Sequence, residues 1–148
     1  MYTLRYFFGD KEPLTDSYAI RTQVFIKEQN VPKDEEYDGT DGACVHIVAY
    51  DNEAPVATGR LMIDDEFTIG RVAVLPQYRG QKIGQGIVQA LIQAATIMGA
   101  EKQVLHAQVS ARGFYEKLGF TAFGEEFYEA GIKHIAMEHY GGVQCNAT

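Results

Sequence analysis

VAVLPQYRGQKIGQG, from Val72 to Gly86, is the stretch on which the reading of this chain turns. It opens with three strand-forming residues, Val72, Ala73 and Val74. A loop follows with Pro76, Arg79, Gly80, Gln81 and Lys82. Ile83, Gly84, Gln85 and Gly86 then lead into a long amphipathic helix. Glycines reach positive φ without strain and let consecutive N–H groups point at one spot. A helix start adds unpaired N–H groups and about half a positive charge. Arg79 and Lys82 add full charges. The segment reads as a cradle for a diphosphate.

Two familiar phosphate motifs do not fit it. The nucleotide-triphosphate loop needs Gly-Lys-Ser/Thr after four intervening residues, whereas Gln85 follows Gly84 here and only Gln81, Lys82 and Ile83 separate Gly80 from Gly84. The dinucleotide turn needs a third glycine where Gln89 stands, and it should begin at the strand end. On this evidence alone the loop says that an anion binds, or that a strand turns into a helix with cations on its surface.

Downstream, Ile83, Ile87, Val88, Leu91, Ala94, Ala95 and Met98 recur at helical spacing, and Gly99 stops the helix. Gln103 to Ala107 reads as a short strand. Ser110 is placed to cap a helix ending at Leu118 and Gly119, and Phe120–Tyr128 and Ile132–His139 read as a hairpin. Upstream, Cys44–Tyr50, Pro55–Ile63 and Thr68–Leu75 are strand-like runs joined by acidic turns. They make an antiparallel meander, and the first of them alternates, with Val45, Ile47 and Ala49 on one face. Tyr2–Phe8 suits another strand. Thr15–Gln29 reads as a helix capped by Thr15 or Asp16, with Tyr18, Ala19, Thr22, Phe25 and Ile26 on its apolar face. Asn30–Gly42 reads as an acidic loop with room for one helical turn. The fold class is α/β (α+β): a mixed, mostly antiparallel sheet of about seven strands flanked by helices, in a single domain spanning 1–148.

The chain has 148 residues and a formal charge of -7, from 13 Lys and Arg against 20 Asp and Glu. Such a balance argues against general nucleic-acid binding, which needs clustered cations, and favours a cationic substrate. Nothing resembles a membrane span or a signal peptide. Cys44 and Cys145 fit no metal spacing, so neither a metal site nor a disulfide is expected. Free thiols point to the cytoplasm.

A second motif gives the anion a name. ARGFYEKLGF, from Ala111 to Phe120, lies two elements beyond the loop. Together with Gln81-x-x-Gly84-x-Gly86 and the preceding strand, it resembles the paired signatures of the GNAT N-acetyltransferase superfamily. RTQVFIKEQNVP, from Arg21 to Pro32, with Asp38 to Asp41 after it, is similar to the ElaA-type branch. The resemblance covers Thr15 to about Tyr140. It implies the acyl-CoA N-acyltransferase fold and direct acetyl transfer from acetyl-CoA to a primary amine of a small molecule or peptide. It also implies a homodimer as one assembly.

The resemblance assigns roles residue by residue. Val72, Ala73 and Val74 would pair with the pantetheine arm, and the Val74 N–H would hold the oxyanion. The run Arg79, Gly80, Gln81, Lys82, Ile83, Gly84, Gln85 and Gly86 would hold the pyrophosphate. Gln108 stands where many relatives carry a pantetheine-binding asparagine. Tyr115 would protonate the departing thiolate, with Phe114 beside it facing the core. An amine with an ordinary pKa of about 10.4 is almost all protonated at pH 7, so a base is needed. Glu28 and Glu126 lead the carboxylates Glu28, Glu36, Asp38, Glu125 and Glu126. Glu28, His134 and Arg21 would line the acceptor side. Arg60 and Arg71 share with Arg21 the alternatives of holding an acidic substrate group or pairing with carboxylates. His46 and His106 read as structural. The rival is an acyl-CoA-binding sensor that does not turn over.

Overall fold

The computed structural model describes residues 2–142. Cys145 lies outside them. Among the described residues, seven strands form one sheet: β1 (Tyr2–Phe8), β2 (Cys44–Asp51), β3 (Ala54–Ile63), β4 (Phe67–Val74), β5 (Lys102–Gln108), β6 (Thr121–Glu129) and β7 (Ile132–Tyr140). Their order is β1-β2-β3-β4-β5-β7-β6. Only β4 and β5 are parallel among the neighbouring pairs. Helix α1 (Thr15–Arg21) runs on as π-helical turns over Thr22–Glu28, and α2 (Lys33–Glu36) supplies the turn expected in the acidic loop. Helix α3 (Ile83–Ile97) connects β4 to β5, and α4 (Arg112–Lys117) connects β5 to β6.

Helices cover both faces. The α3 face carries the main core, in which Ile87, Val88, Leu91, Ile92 and Ala95 pack on Val45, Ile47, Ala49, Leu61 and Ile69. The α1 face carries a smaller cluster of Ile20, Val24, Val48, Tyr50 and Ala73. Strand β2 is therefore buried on both faces. Gly59 lets α3 sit close to β3: a Cβ there would lie 2.6 Å from Ile87 Cγ2 and 2.8 Å from Leu91 Cδ1.

Three local expectations are corrected. The N-cap of α1 is Leu14, with no side-chain cap, and Asp16 instead accepts a 2.7 Å hydrogen bond from the Tyr50 hydroxyl. The N-cap of α4 is Ala111 rather than Ser110, because a 3-10 turn over Val109–Ala111 precedes it. The buried stripe of the first helix is Ser17, Ile20, Arg21 and Val24. An apolar count misses that stripe because half of it is polar. Ser17 bonds Thr58, and Arg21 is 0% exposed with its fork on Glu36 at 2.6 Å and Asp41 at 2.8 Å.

Strand β4 carries the feature that positions the site. Its register on β3 jumps from Thr58↔Ala73 to Arg60↔Gly70, so Arg71 and Val72 oppose the single residue Gly59. Arg71 takes φ 50, a conformation that costs a non-glycine residue about 1 kcal/mol or more. Its side chain is held by Glu36 at 3.2 Å and Asp38 at 3.5 Å. A bulge bends its strand and increases its twist.

Candidate active site

Past this bulge, β4 leaves its parallel neighbour. The two strands are in register at Thr68↔Val104. Strand β4 then runs to Val74 and β5 to Gln108 without further pairing. On the β3 side, Leu75 donates to the Val56 carbonyl at 2.9 Å and Ala73 sits opposite Thr58. Strand alternation therefore turns the backbone groups of Ala73 toward β3 and those of Val72 and Val74 toward the gap.

The gap opens onto the loop and the start of α3. A 3-10 turn over Pro76–Tyr78 leads to Gly80 at φ 79 and to Lys82, the left-handed N-cap, at φ 63. Gly86 N–H bonds the Lys82 carbonyl at 3.2 Å. The N–H groups of Ile83, Gly84 and Gln85 precede the first intrahelical bond, and no side chain caps them. Gly84 faces Val74 and Phe114: a Cβ there would stand in ordinary contact with Val74 Cγ2 at 3.4 Å and the Phe114 ring at 3.6 Å. Gln81 accepts a hydrogen bond from the Tyr2 hydroxyl of the edge strand.

Arg79 is engaged from two sides. Its Nε donates to the Val74 carbonyl at 3.0 Å, and its two terminal nitrogens donate to Glu28 at 2.8 and 2.7 Å. These hydrogen bonds hold the Glu28 carboxyl below its ordinary pKa and raise that of Arg79. Glu28, expected as a base, is thus tied to the loop.

Tyr115 and Phe114 exchange the positions expected of them. Tyr115 is 9% exposed and Phe114 is 37% exposed. The short helix turns Phe114 over the start of α3, while Tyr115 packs between Phe114 and Phe120, with ring centroids at 5.0 and 5.7 Å. The Tyr115 hydroxyl bonds no described side chain, and burial pushes its pKa up to about 12. It stays protonated throughout the physiological range.

On the opposite face of the sheet, α1 and its π-helical continuation cover β2, β3 and β4, and no described helix packs over β5, β7 and β6. The helical layer ends in a wall and the bare strands form a floor. Gln29, at the end of the wall, accepts a 2.8 Å hydrogen bond from Gln108 at the end of β5. The register sets Gln108, His134 and Phe127 in one row, and His106 and Ala136 in the next. His134 lies under the Phe127 ring, with centroids 6.0 Å apart, and its Nε2 is 3.9 Å from Glu129. His106 meets the other side of this group, 5.0 Å from Phe127 and 3.4 Å from Glu129.

Glu126 is exposed and pairs with Lys133 at 3.5 Å. Arg21, Arg60 and Arg71 do not face this floor. They gather Glu36, Asp38 and Asp41 into one ion network beneath the acidic loop. Arg21 has no exposed atom to offer a substrate. An open groove of about 510 Å³, lined by Tyr18, Lys33, Tyr37, Gly39, Asp41 and Gly42, borders that network and shares no residue with the β4–β5 gap. Gln29, Phe127 and Glu129 had no signal in the sequence, because pairing across three strands and a helix end brings them together.

Residues 12–140 match the family model described as the acetyltransferase (GNAT) domain. The chain is 42% identical over 130 residues to the uncharacterized N-acetyltransferase YjcF of Bacillus subtilis, covering 86% of this chain and 93% of that protein. It is 36% identical over 125 residues to ElaA of Escherichia coli, covering 80% and 81%. The crystal structure of Escherichia coli ElaA superposes with a TM-score of 0.85 at 30% identity, over 94% of this chain and 99% of that one. A GNAT-family acetyltransferase from Elizabethkingia anophelis, solved with acetyl-CoA bound, shares the fold at a TM-score of 0.70 and 18% identity, over 94% and 97%.

Proposed function

Because the chain belongs to the GNAT acetyltransferase family, in its ElaA-like branch, we propose that it transfers an acetyl group from acetyl-CoA directly to a primary amine. The observation that carries this reading is the β4–β5 gap, whose free strand edge leads to the uncapped start of α3. A thioester arm needs an extended backbone partner, and a pyrophosphate needs convergent N–H donors. Both lie on one continuous path here, and Gly84 leaves the room that a side chain would fill. Val72 and Val74 pair with the arm, the Val74 N–H holds the oxyanion, and Gly80 to Gly86 hold the pyrophosphate. Lys82, and Arg79 once it leaves Glu28, balance its charge on an otherwise acidic chain.

Tyr115 supplies the proton for the departing thiolate. Its raised pKa keeps the phenol protonated at neutral pH, in place to hydrogen-bond the sulfur and hand it the proton as the C–S bond breaks. The acceptor amine enters from the opposite face, over the floor of β5, β7 and β6. Glu129 and the acidic chain favour a cation there.

Free thiol released from acetyl-CoA is the measurement that tests the reading, with a panel of polyamines, amino sugars, aminoacyl compounds and peptides as acceptors. Amine-dependent release supports transfer. Tight acetyl-CoA binding with no release on any amine would leave the sensor reading instead. A burst of one thiol per chain before amine is added would replace direct transfer with an acyl-enzyme.

A further inference from the structure

We infer that His134, and neither Glu28 nor Glu126, accepts the proton of the incoming ammonium group. The inference rests on the transfer reading above and names its base. Three observations on the floor of β5, β7 and β6 carry it.

The first is the tautomer. His134 Nδ1 lies 2.7 Å from the Ile132 carbonyl oxygen. A carbonyl can only accept, so Nδ1 bears the hydrogen, and the neutral ring keeps its lone pair on Nε2. The second is access. His134 is only 8% exposed, yet Nε2 is not among the sealed polar atoms that lack a partner, as the ring nitrogens of His46 and His139 are. The imidazole is packed and the nitrogen with the lone pair is open. The third is position. His134 sits opposite Gln108 on the β5–β7 ladder, and Gln108 ends β5 where the gap has opened. Residues opposite each other in such a pair have Cβ atoms about 5 Å apart. The ring is one strand from the edge of the gap, within reach of a substrate nitrogen directly or through one water.

The two carboxylates are placed differently. Glu28 is held by both terminal nitrogens of Arg79, which lowers its basicity. Glu126 is exposed beside Lys133. The charged and titratable groups facing His134 are Glu129 from β6 and, beyond Phe127, His106 from β5. Glu129 lies 3.9 Å from Nε2.

The protons balance. His134 Nε2 takes one proton from the ammonium group and releases it to water. The freed lone pair forms the C–N bond, and the C–S bond breaks. The Tyr115 hydroxyl gives its proton to the sulfur, and the proton left on the new amide nitrogen restores the phenol through water.

His134→Asn keeps a donor for the Ile132 carbonyl and removes the basic nitrogen. With acetyl-CoA and the best amine of the panel, kcat/KM at neutral pH should fall about 100-fold. The deficit should shrink as pH rises and the amine deprotonates unaided, and acetyl-CoA affinity should stay the same. A deficit equal at every pH, or none, overturns the assignment while leaving the transfer reading intact. A wild type inert toward every amine overturns both. The wild-type protein supplies a test that needs no turnover: long-range 1H–15N NMR of the neutral His134 ring should find Nε2 unprotonated, and the other tautomer overturns the inference.

Discussion

Arg79, Glu28 and Tyr115 show how much a single side chain's chemistry depends on its partners. Arg79 cannot serve an incoming pyrophosphate while both terminal nitrogens are on Glu28. Removing it should therefore cost less than a free arginine would, yet still weaken coenzyme A binding by about tenfold, the lower end for a charge-assisted hydrogen bond. Glu28→Gln should leave binding equal or tighter, because it releases Arg79. Calorimetric titration with coenzyme A reads both variants, and a weaker Glu28→Gln complex contradicts this account of the pair. Tyr115→Phe removes a hydroxyl that bonds no described side chain and keeps the ring between Phe114 and Phe120. Turnover should drop about 100-fold, with coenzyme A affinity and the thermal midpoint unchanged. A wild-type rate in that variant removes the acid role. The FYEK motif singled out this tyrosine, but which of two adjacent aromatics faces inward was decided by the packing of the short helix, which buries Tyr115 and leaves Phe114 37% exposed.

At the scale of elements, the site is a consequence of how α3 and β4 are joined to β3. The bulge at Arg71 and Val72 faces Gly59 on one side of the strand pair, and α3 presses on Gly59 from above. A methyl group at that position would meet Ile87 and Leu91, both 0% exposed and without room to move. Gly59→Ala should therefore destabilise the protein by about 1–3 kcal/mol, the usual cost of overpacking a filled core. Urea unfolding should show a lower midpoint with an unchanged slope, and an unshifted midpoint contradicts the close approach. Element types and order were legible from periodicity alone, to within a residue or two at most ends. The bulge was not legible, because Gly70, Arg71 and Val72 carry no mark of a register shift until the partner strand is in place. The same holds for the π-helical turns over Thr22–Glu28, which follow apparently ordinary helical spacing.

For the whole molecule, buried polar groups should set the response to pH. Burial lowers the pKa of His46 and His139 from the ordinary 6.5, so the folded chain holds both neutral. Their contribution to stability is complete above that value and declines as pH falls below it, because the unfolded chain then binds protons that the folded chain does not. Asp41 and Asp38 act lower down. Burial alone would raise them, but hydrogen bonds and the charges of Arg21, Arg60 and Arg71 outweigh it and bring both below 3.8. Their share is lost as pH falls through those lowered values. The urea midpoint should thus be highest near neutrality, fall between pH 7 and 5, and fall again below about pH 4. A flat profile from pH 7 to 5 would mean that the two histidines are not held neutral by the fold.

The sequence by itself determined the family and the element order, and it singled out the loop proposed to hold the donor. All of these are local signals: glycine spacing, cations beside a helix start, and a change of hydrophobic period from two to 3.6. The acceptor side was decided only by tertiary structure. Its floor is assembled from β5, β7 and β6, its wall from the end of the π-helical turns, and its histidine becomes a base only through a carbonyl two residues away and an open Nε2. Arg21 shows the same limit from the other direction. It reads as a substrate contact in the sequence, and the fold spends it on Glu36 and Asp41 in the interior. Residue type says what a side chain can bind, and burial and pairing decide what remains for it to bind.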